Sequence, residues 1–168
     1  DPQDLNEKIL WAKLYSDTTQ WTILADKYKV RDYVERKGLG ENLVKLYGAW
    51  DNVNDFAFDQ LPENFILKAN NGDGKGTNKP VRGKSHLSEA QKETLIKTMD
   101  EWLHRKNIGL LHAEPHYKAI HPMVIAEELL PTPKGESTLV DYKMWCFNGK
   151  VHYIWTCSER SSDGASAH

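Results

Sequence analysis

The stretch that most restricts the possible folds of this sequence runs from Phe65 to Gly76, where a short apolar strand leads directly into a glycine-rich loop. The apolar residues before Lys68 predict a strand that anchors the base of the loop. Glycine lets the loop backbone turn its N–H groups toward a ligand without steric penalty, and lysine supplies positive charge. The sequence therefore favours binding of a phosphate chain through Lys68, Asn71, Gly72, Gly74, Lys75 and Gly76.

Length and charge narrow the class of protein. A chain of 168 residues is long enough for one sizeable domain or two small lobes, and it can bury a core without disulfide bonds. The formal net charge of -2 excludes bulk electrostatic attraction to nucleic acid or to a membrane surface. Any basic site must therefore be local, and we expect no nucleic-acid partner.

Cysteine content and the N-terminal residues bear on the compartment. Cys146 and Cys157 are too few for a disulfide framework, and their positions in predicted strands indicate reduced core residues. No apolar run approaches the roughly 20 residues that a membrane-spanning helix needs, and the N-terminus lacks the features of a signal peptide. We expect a cytoplasmic protein without a transmembrane segment.

Apolar residues at helical spacing predict three helices. Residues 1–20 form an amphipathic packing helix, which Asp4 or Asn6 caps. A second helix runs from about Trp21 to Arg36, and the glycines that follow end it. The third extends from Ser88 to about Lys106 and begins with a capping box.

The remaining segments predict strands and connections. Leu43–Trp50 and Met123–Ala126 are apolar runs, and two strands of alternating polarity flank Asn148-Gly149, a strong hairpin signal. The basic segment Lys79–Lys84 is predicted to be poorly structured, and either helps to hold phosphates or is a solvated loop. Residues 158–168 are predicted to be loop. The order of elements predicts an α+β fold in which helices cover a mainly antiparallel sheet.

Charged residues outside the loop add candidates for a site. Glu127 and Glu128 end a buried strand, where an unpaired charge is costly, so Glu127 either belongs to a site or pairs with a nearby cation. Lys27 and Arg31 share one stripe of a predicted helix, which taken alone indicates a solvated edge.

The residue types collected so far suit nucleotide binding, because cations and backbone N–H groups hold phosphates and carboxylates hold ribose or magnesium. Asp141 and Lys143 share one face of the first hairpin strand, turned toward water or toward a charged ligand.

A P-loop and a dinucleotide fingerprint are excluded, because neither glycine pattern is present. The spacing of His112, Glu114 and His116 matches no known metal-ligand set.

In order along the chain, these motifs resemble those of the ATP-grasp superfamily and, within it, the TupA-like group of bacterial polysaccharide biosynthesis. The matching segments are Asn6–Trp11, Lys13–Tyr15, Asp26–Val34, Leu61–Gly72, Ala113–Lys118, Ile125–Leu130 and Asp141–Gly149. The resemblance implies an ATP-grasp-like α+β fold, with two small lobes around a nucleotide cleft. We expect residues 1–60 to lead into the first lobe, residues 61–125 to carry its glycine-rich flap, and residues 126–168 to form the hinge and the start of the second lobe.

The resemblance also implies roles for single residues. Lys27 and Lys68 are similar to the two phosphate-contacting lysines of the superfamily, and the glycine-rich loop is similar to its flap over the phosphates. Glu127, with Glu128 and Leu130, falls on the hinge segment whose backbone reads adenine and whose glutamate supports the nucleotide.

The implied activity is that of an ATP-dependent carboxylate–amine ligase, acting through an acyl phosphate in surface-polysaccharide or cell-wall polymer biosynthesis. Asp141 and Lys143 are the expected catalytic residues, and ATP and Mg²⁺ are the expected cofactors. The expected partners are a small-molecule or saccharide carboxylate and an amine, with peripheral association with a polysaccharide assembly complex as a further option. A glycosyltransferase or sugar kinase of a capsule pathway, and a non-catalytic nucleotide-binding module, remain alternatives.

The sequence departs from the superfamily pattern near its end. ATP-grasp enzymes carry magnesium ligands in the last third of the fold, and nothing after Tyr153 matches them. We therefore expect an incomplete C-terminal lobe and assign no metal ligand. We also expect residues from about 71 to 84 to be poorly ordered when no nucleotide is bound.

Overall fold

The structure is a computed structural model. It describes residues 1–72, 76–110, 113–133, 139–161 and 164–167, and residues from 158 onward by their backbone alone. Gly74, Lys75 and His112 lie outside the described residues. The chain forms two compact units, Asp1–Leu129 and Leu130–His168.

The described residues form four α-helices and seven strands. The helices are α1 (Leu5–Tyr15), α2 (Thr19–Ala25), α3 (Lys29–Arg36) and α4 (Glu89–Leu103). The strands are β1 (Leu46–Trp50), β2 (Phe65–Ala69), β3 (Asn78–Val81), β4 (Val124–Glu128), β5 (Asp141–Phe147), β6 (Lys150–Ser161) and β7 (Gly164–Ala167). All pairs among these strands are antiparallel, which confirms the predicted α+β class with mainly antiparallel sheets.

The first unit is built on a four-stranded sheet with the order β1-β4-β2-β3. Alternation along β2 buries Phe65, Leu67 and Ala69 on the face that forms the core, while Lys68 lies on the other face. The core face packs against α4, whose buried residues are Leu95, Met99 and Trp102. One face of this sheet therefore stabilises the fold, and its other face is available to carry charged side chains.

The capping box predicted at the start of α4 is confirmed. The Ser88 hydroxyl accepts a hydrogen bond from Gln91 N at 3.3 Å, and Gln91 Oε1 accepts one from Ser88 N at 2.8 Å. These reciprocal bonds satisfy N–H groups that have no partner inside the helix. The box fixes where α4 begins and so which of its residues face β2.

The second predicted helix is wrong in one respect, because the structure has two helices where one was expected. α2 ends at Ala25 and α3 begins at Lys29. Asp26 lies between them, and its carboxylate accepts hydrogen bonds from the backbone N–H groups of Tyr28 and Lys29. The carboxylate thus caps α3 and stops α2, so that Lys27 lies in a connection instead of on a helix.

Two segments predicted to be irregular contain strands. Half of the first, residues 79–81, belongs to β3, which pairs with β2 from Lys68↔Asn78 to Phe65↔Val81. In the second, residues 158–161 continue β6 and residues 164–167 form β7. Both predictions were wrong because partner strands supply backbone hydrogen bonds that local composition does not reveal.

The hairpin of the second unit is confirmed. Its turn residues Asn148 and Gly149 have φ values of 51° and 72°, the left-handed conformation that a tight two-residue hairpin turn requires. Both cysteines are free, as expected, but only Cys157 is buried, and Cys146 on β5 is exposed. The prediction that both belong to the core was therefore wrong for Cys146.

α1 is confirmed as a helix with Asp4 as its cap, since Asp4 accepts a hydrogen bond from Glu7 N. The helix was expected to pack against the core, but none of its residues is buried in the part of the chain that the structure describes. Its apolar side chains are exposed, namely Leu5, Ile9, Leu10, Trp11, Leu14 and Tyr15. In the part of the chain that the structure describes, no helix has the length and apolar character to cross a membrane.

Candidate functional site

A buried carboxylate flanked by two cations lies on the non-core face of the first sheet. Glu127 is 5% exposed, and it lies on β4 directly opposite Ile66 of β2. Its Oε2 accepts a hydrogen bond from Lys68 Nζ at 2.8 Å, and its Oε1 accepts one from Arg31 Nη1 at 3.0 Å. Glu127 is therefore paired, and the predicted candidates Lys68 and Glu127 are in direct contact.

Both terminal nitrogens of the Arg31 guanidinium group donate hydrogen bonds. While Nη1 contacts Glu127, Nη2 donates to the carbonyl oxygen of Val44 at 2.7 Å. Its side chain is 13% exposed, so Arg31 is part of a largely buried ion pair and not a solvated helix edge. The triad of Arg31, Glu127 and Lys68 carries one net positive charge, and Lys68 is its most exposed member at 26%.

The start of the glycine-rich loop is fixed by Lys27. Its Nζ donates to the carbonyl oxygen of Gly72 at 2.6 Å, and its backbone N–H donates to Asn70 O. A side chain at Gly72 would collide with Thr77, which is 3% exposed, so the chain can pass here only as glycine. Lys27 therefore brings a second cation to the backbone that follows β2.

A buried amide network supports this connection. Asn70 is fully buried, and its Nδ2 donates to Asp26 Oδ1 at 3.0 Å and to the backbone carbonyl of His121 at 2.9 Å. Its Oδ1 accepts from Met123 N at 2.8 Å. Asp26, which caps α3, and the segment entering β4 are thus joined through one side chain. The network positions Lys27 relative to β2 and β4.

The far end of the loop is also attached to the core. The indole Nε1–H of Trp102, on α4, donates to the carbonyl oxygen of Gly76 at 2.9 Å. Gly76 has φ 84°, a left-handed conformation that glycine adopts without strain. Ala69 N donates to Thr77 O at 2.9 Å, which closes the hairpin of β2 and β3 below the loop. Both ends of the predicted phosphate loop therefore have defined partners.

The predicted site residues fall into three groups. The first unit holds Lys27, Lys68, Asn71, Gly72, Gly76, Glu127 and Glu128. Of these, Glu128 is exposed at the end of β4, where its N–H donates to Lys45 O. The second unit holds Leu130, Asp141 and Lys143, whose assigned roles stay predictions. Lys143 Nζ lies 5.5 Å from the ring centroid of Trp155, its cross-strand neighbour. Gly74 and Lys75 lie outside the described residues.

Sequence reasoning missed the residues that hold the lysines in place. Arg31 was interpreted as a solvated helix edge, and its contact with Glu127 was not predicted. Asp26 and Asn70 were part of quoted motifs but received no role. A pair of amides directly after a buried strand is itself informative, because a buried amide must find hydrogen-bond partners.

The described part of the site presents positively charged donors beside the start of the loop. Lys68, the last residue but one of β2, and Lys27, in the connection between α2 and α3, supply charge-assisted donors beside a backbone in which Gly72 leaves no room for a side chain. Among the described residues there is no group of three or more His, Cys, Asp or Glu side chains that could hold a metal ion. The described part of the site therefore suits anion binding, and magnesium ligands are not assigned.

Comparison with known proteins gives one match. The family model described as "TupA-like ATPgrasp" matches residues 7–166, which is nearly the whole chain. No curated protein and no solved structure matches the chain significantly. Members of the ATP-grasp superfamily generally use ATP and Mg²⁺. The chain belongs to the TupA-like ATP-grasp family.

Proposed function

We propose that the protein is an ATP-dependent carboxylate–amine ligase that acts in the biosynthesis of a surface polysaccharide or cell-wall polymer. Family membership supports an ATP-grasp type of function, and the ligase reaction and its substrates are the proposal. The observation that carries it is the contact of Lys68 with Glu127, immediately before the glycine-rich loop.

The double pairing of Glu127 makes Lys68 available to a ligand. Removing one partner from a buried ion pair usually costs about 3–5 kcal/mol, because it leaves an uncompensated charge. Here Arg31 also pairs with Glu127, at 3.0 Å, so Glu127 would keep one partner if Lys68 turned away. Lys68 can therefore exchange its carboxylate partner for a phosphate oxygen at a much smaller cost.

The proposed reaction has two steps. A substrate carboxylate oxygen attacks the γ-phosphorus of ATP, and the bond from that phosphorus to the β,γ-bridging oxygen breaks, which releases ADP and gives an acyl phosphate. An amine then attacks the acyl carbon, loses a proton and displaces inorganic phosphate, which leaves an amide. Lys68 and Lys27 would offset the negative charge of the phosphates. The backbone that carries each lysine is already held in place without a ligand, so neither has to be ordered when the phosphates bind.

A product-specific assay tests the proposal. The full-length protein is incubated with ATP, Mg²⁺, a carboxylate such as glucuronate or glutamate, and an amine, while ADP, AMP and UDP are measured. We expect ADP release that requires both the acid and the amine, and that Lys68→Ala reduces. The matched control is Lys97→Ala, because Lys97 lies on the exposed face of α4.

Three other results would contradict the proposal. AMP release in place of ADP would indicate an adenylate intermediate. UDP release from a nucleotide sugar without ATP would indicate glycosyl transfer. ATP binding without turnover for any acid and amine would indicate a nucleotide-binding module that does not catalyse ligation.

A further inference from the structure

A cavity of about 270 Å³ lies in the first unit, beside the loop that leads from α4 to β4. Its volume is near the lower end of the roughly 300–1,000 Å³ range of small-molecule sites, so it suits a ligand smaller than a nucleotide. Its described lining includes Asn71, Arg105, Ile108, Lys118 and Ile120.

The lining combines positively charged residues with apolar ones. Arg105 and Lys118 contribute two cations, and none of the described lining residues is acidic. Both side chains are exposed, so the charges stand at the opening of the cavity. Ile108 and Ile120 are buried and form part of its wall. A ligand that carries a negative group at one end and a carbon skeleton at the other would match this distribution.

Asn71 adds a specific requirement. It is 1% exposed, and its Oδ1 has no hydrogen-bond partner among the described residues. A buried acceptor without a partner costs about 1–3 kcal/mol, so a ligand that donates a hydrogen bond there gains affinity. Because Asn71 lines the cavity, the ligand should present a hydroxyl or an amine toward it.

We infer that this cavity binds a small organic acid that also carries a hydroxyl or amine donor, such as a sugar acid or an amino acid, and that it is the acid-substrate site of the protein. The choice of a carboxylate as the anionic group, and the role as substrate, rest on the proposed ligase function. Binding of such an anion rests on the cavity alone.

The position of Asn71 connects this cavity to the nucleotide loop. Asn71 directly precedes Gly72, whose carbonyl oxygen accepts the hydrogen bond from Lys27. One residue thus belongs to the wall of the cavity and to the start of the loop. A ligand bound to the Asn71 side chain would therefore also restrain the backbone at the start of the loop.

Isothermal titration calorimetry with matched ligands tests the required chemistry. D-Glucuronate carries both the anion and hydroxyl donors, D-glucose has the donors alone, and cyclohexanecarboxylate has the anion alone. L-Glutamate carries an ammonium donor. We expect glucuronate or glutamate to bind the full chain at least about tenfold more tightly than glucose and cyclohexanecarboxylate, the factor that one charge-assisted hydrogen bond supplies.

Variants at the opening of the cavity test the location. Arg105→Gln and Lys118→Gln should each weaken binding of the acid about tenfold. Lys106→Gln is the matched control, because Lys106 adjoins Arg105 in sequence and is not part of the described lining. The inference is overturned if neither acid binds, if the Arg105→Gln/Lys118→Gln protein binds it unchanged, or if glucose 1-phosphate binds more tightly than glucuronate.

Parallel titrations with ATP separate this inference from the proposed function. ATP binding that depends on Lys68, without binding of either acid, would overturn the cavity assignment and leave the ligase proposal standing. Acid binding that depends on Arg105 and Lys118, in a protein that releases no ADP, would keep the cavity as a binding site and overturn its role as a substrate site.

Discussion

Glu127 accepts two charge-assisted hydrogen bonds on the face of the sheet that is not used for the core. Its two partners differ in what else holds them. Arg31 is fixed by a second bond to Val44 O, while the Lys68 amine has no second partner among the hydrogen bonds seen in the described residues. The different roles of the two cations follow from that difference: Arg31 stabilises the fold, and Lys68 serves the ligand.

Lys68→Ala should therefore separate binding from folding. We expect ATP affinity to fall by about 1.5–3 kcal/mol, the value of a charge-assisted hydrogen bond, or roughly 10–150-fold in Kd. Titration calorimetry measures the affinity, and urea unfolding checks that Glu127 is still paired with Arg31. Unchanged ATP affinity in a normally folded variant would show that Lys68 does not contact phosphate.

Asn70 has the opposite character, because all its contacts are structural. Asn70→Ala leaves the Met123 N–H, the His121 carbonyl and one Asp26 contact without their partner. We expect the free energy of unfolding in urea to fall by about 3 kcal/mol. Asn42→Ala, at an exposed amide, is the control and should change it by less than about 0.5 kcal/mol. An Asn70 variant as stable as the control would contradict the role given to this network.

At the residue scale, the sequence predicts types better than partners. The sequence alone indicated the segments that carry Lys27, Lys68 and Glu127 as candidates for a binding site. The choice between a functional and a paired Glu127 could not be made, because its partner Arg31 is 96 residues away in sequence. A pairing of this kind depends on how α3 packs against β4, which composition does not specify.

At the scale of elements, helix α4 joins the core to the loop. It supplies Leu95 and Met99 to the core and the Trp102 indole to Gly76. The side chains of Ser88 and Gln91 fix the residue at which α4 begins. That first residue determines which side chains of the helix face the sheet. The capping box at Ser88 therefore contributes to the position of Trp102 as well as to helix stability.

Ser88→Ala should remove half of this box. We expect the free energy of unfolding to fall by about 1 kcal/mol, the usual effect of losing an N-cap, measured by chemical denaturation. Ser88→Asp is the matched control, since aspartate is an equally good cap and should retain most of the stability. Equal losses in both variants would show that the effect comes from something other than the cap.

The elements also show where local sequence rules fail. The capping box and the Asn148-Gly149 turn were predicted correctly because each signal is complete within a few residues. The division of the second helix at Asp26 was missed, since its carboxylate is also held by Asn70, which follows β2 and is 44 residues away in sequence. β3 was missed because Pro80 and three basic residues hide an edge strand that pairs on one side with β2.

At the scale of the whole molecule, the order of motifs is more informative than any one of them. No single motif would have identified the family, whereas their sequence along the chain does. The boundaries predicted at residues 60 and 125 stay predictions, and the two compact units divide after Leu129. The shared motifs do not specify the substrate. The proposed substrate class therefore relies on the residues that line the cavity in the first unit.

Stability should also depend on pH through His116. Burial lowers the pKa of His116 below its usual 6.5, the Glu114 carboxylate partly offsets this, and Lys13 lowers it further. The unfolded chain therefore binds the proton more readily, so the stability that goes with the neutral ring is complete above about pH 6.5 and is lost as pH falls from there through the lower pKa of the folded protein. We expect the unfolding midpoint to fall more between about pH 7.5 and about pH 5.5 in the native protein than in His116→Gln. Parallel pH profiles of the two proteins would contradict this.

The bond from Trp102 to Gly76 gives the protein a built-in spectroscopic reporter. The indole ring is anchored in the core, where Trp102 is 6% exposed, and its one polar proton points to the end of the loop. The NMR chemical shift of that proton depends on the length of this hydrogen bond, and a spectrum of Trp102→Phe identifies its signal. Events at the loop can therefore be followed from inside α4, through one resonance and without a label on the loop itself.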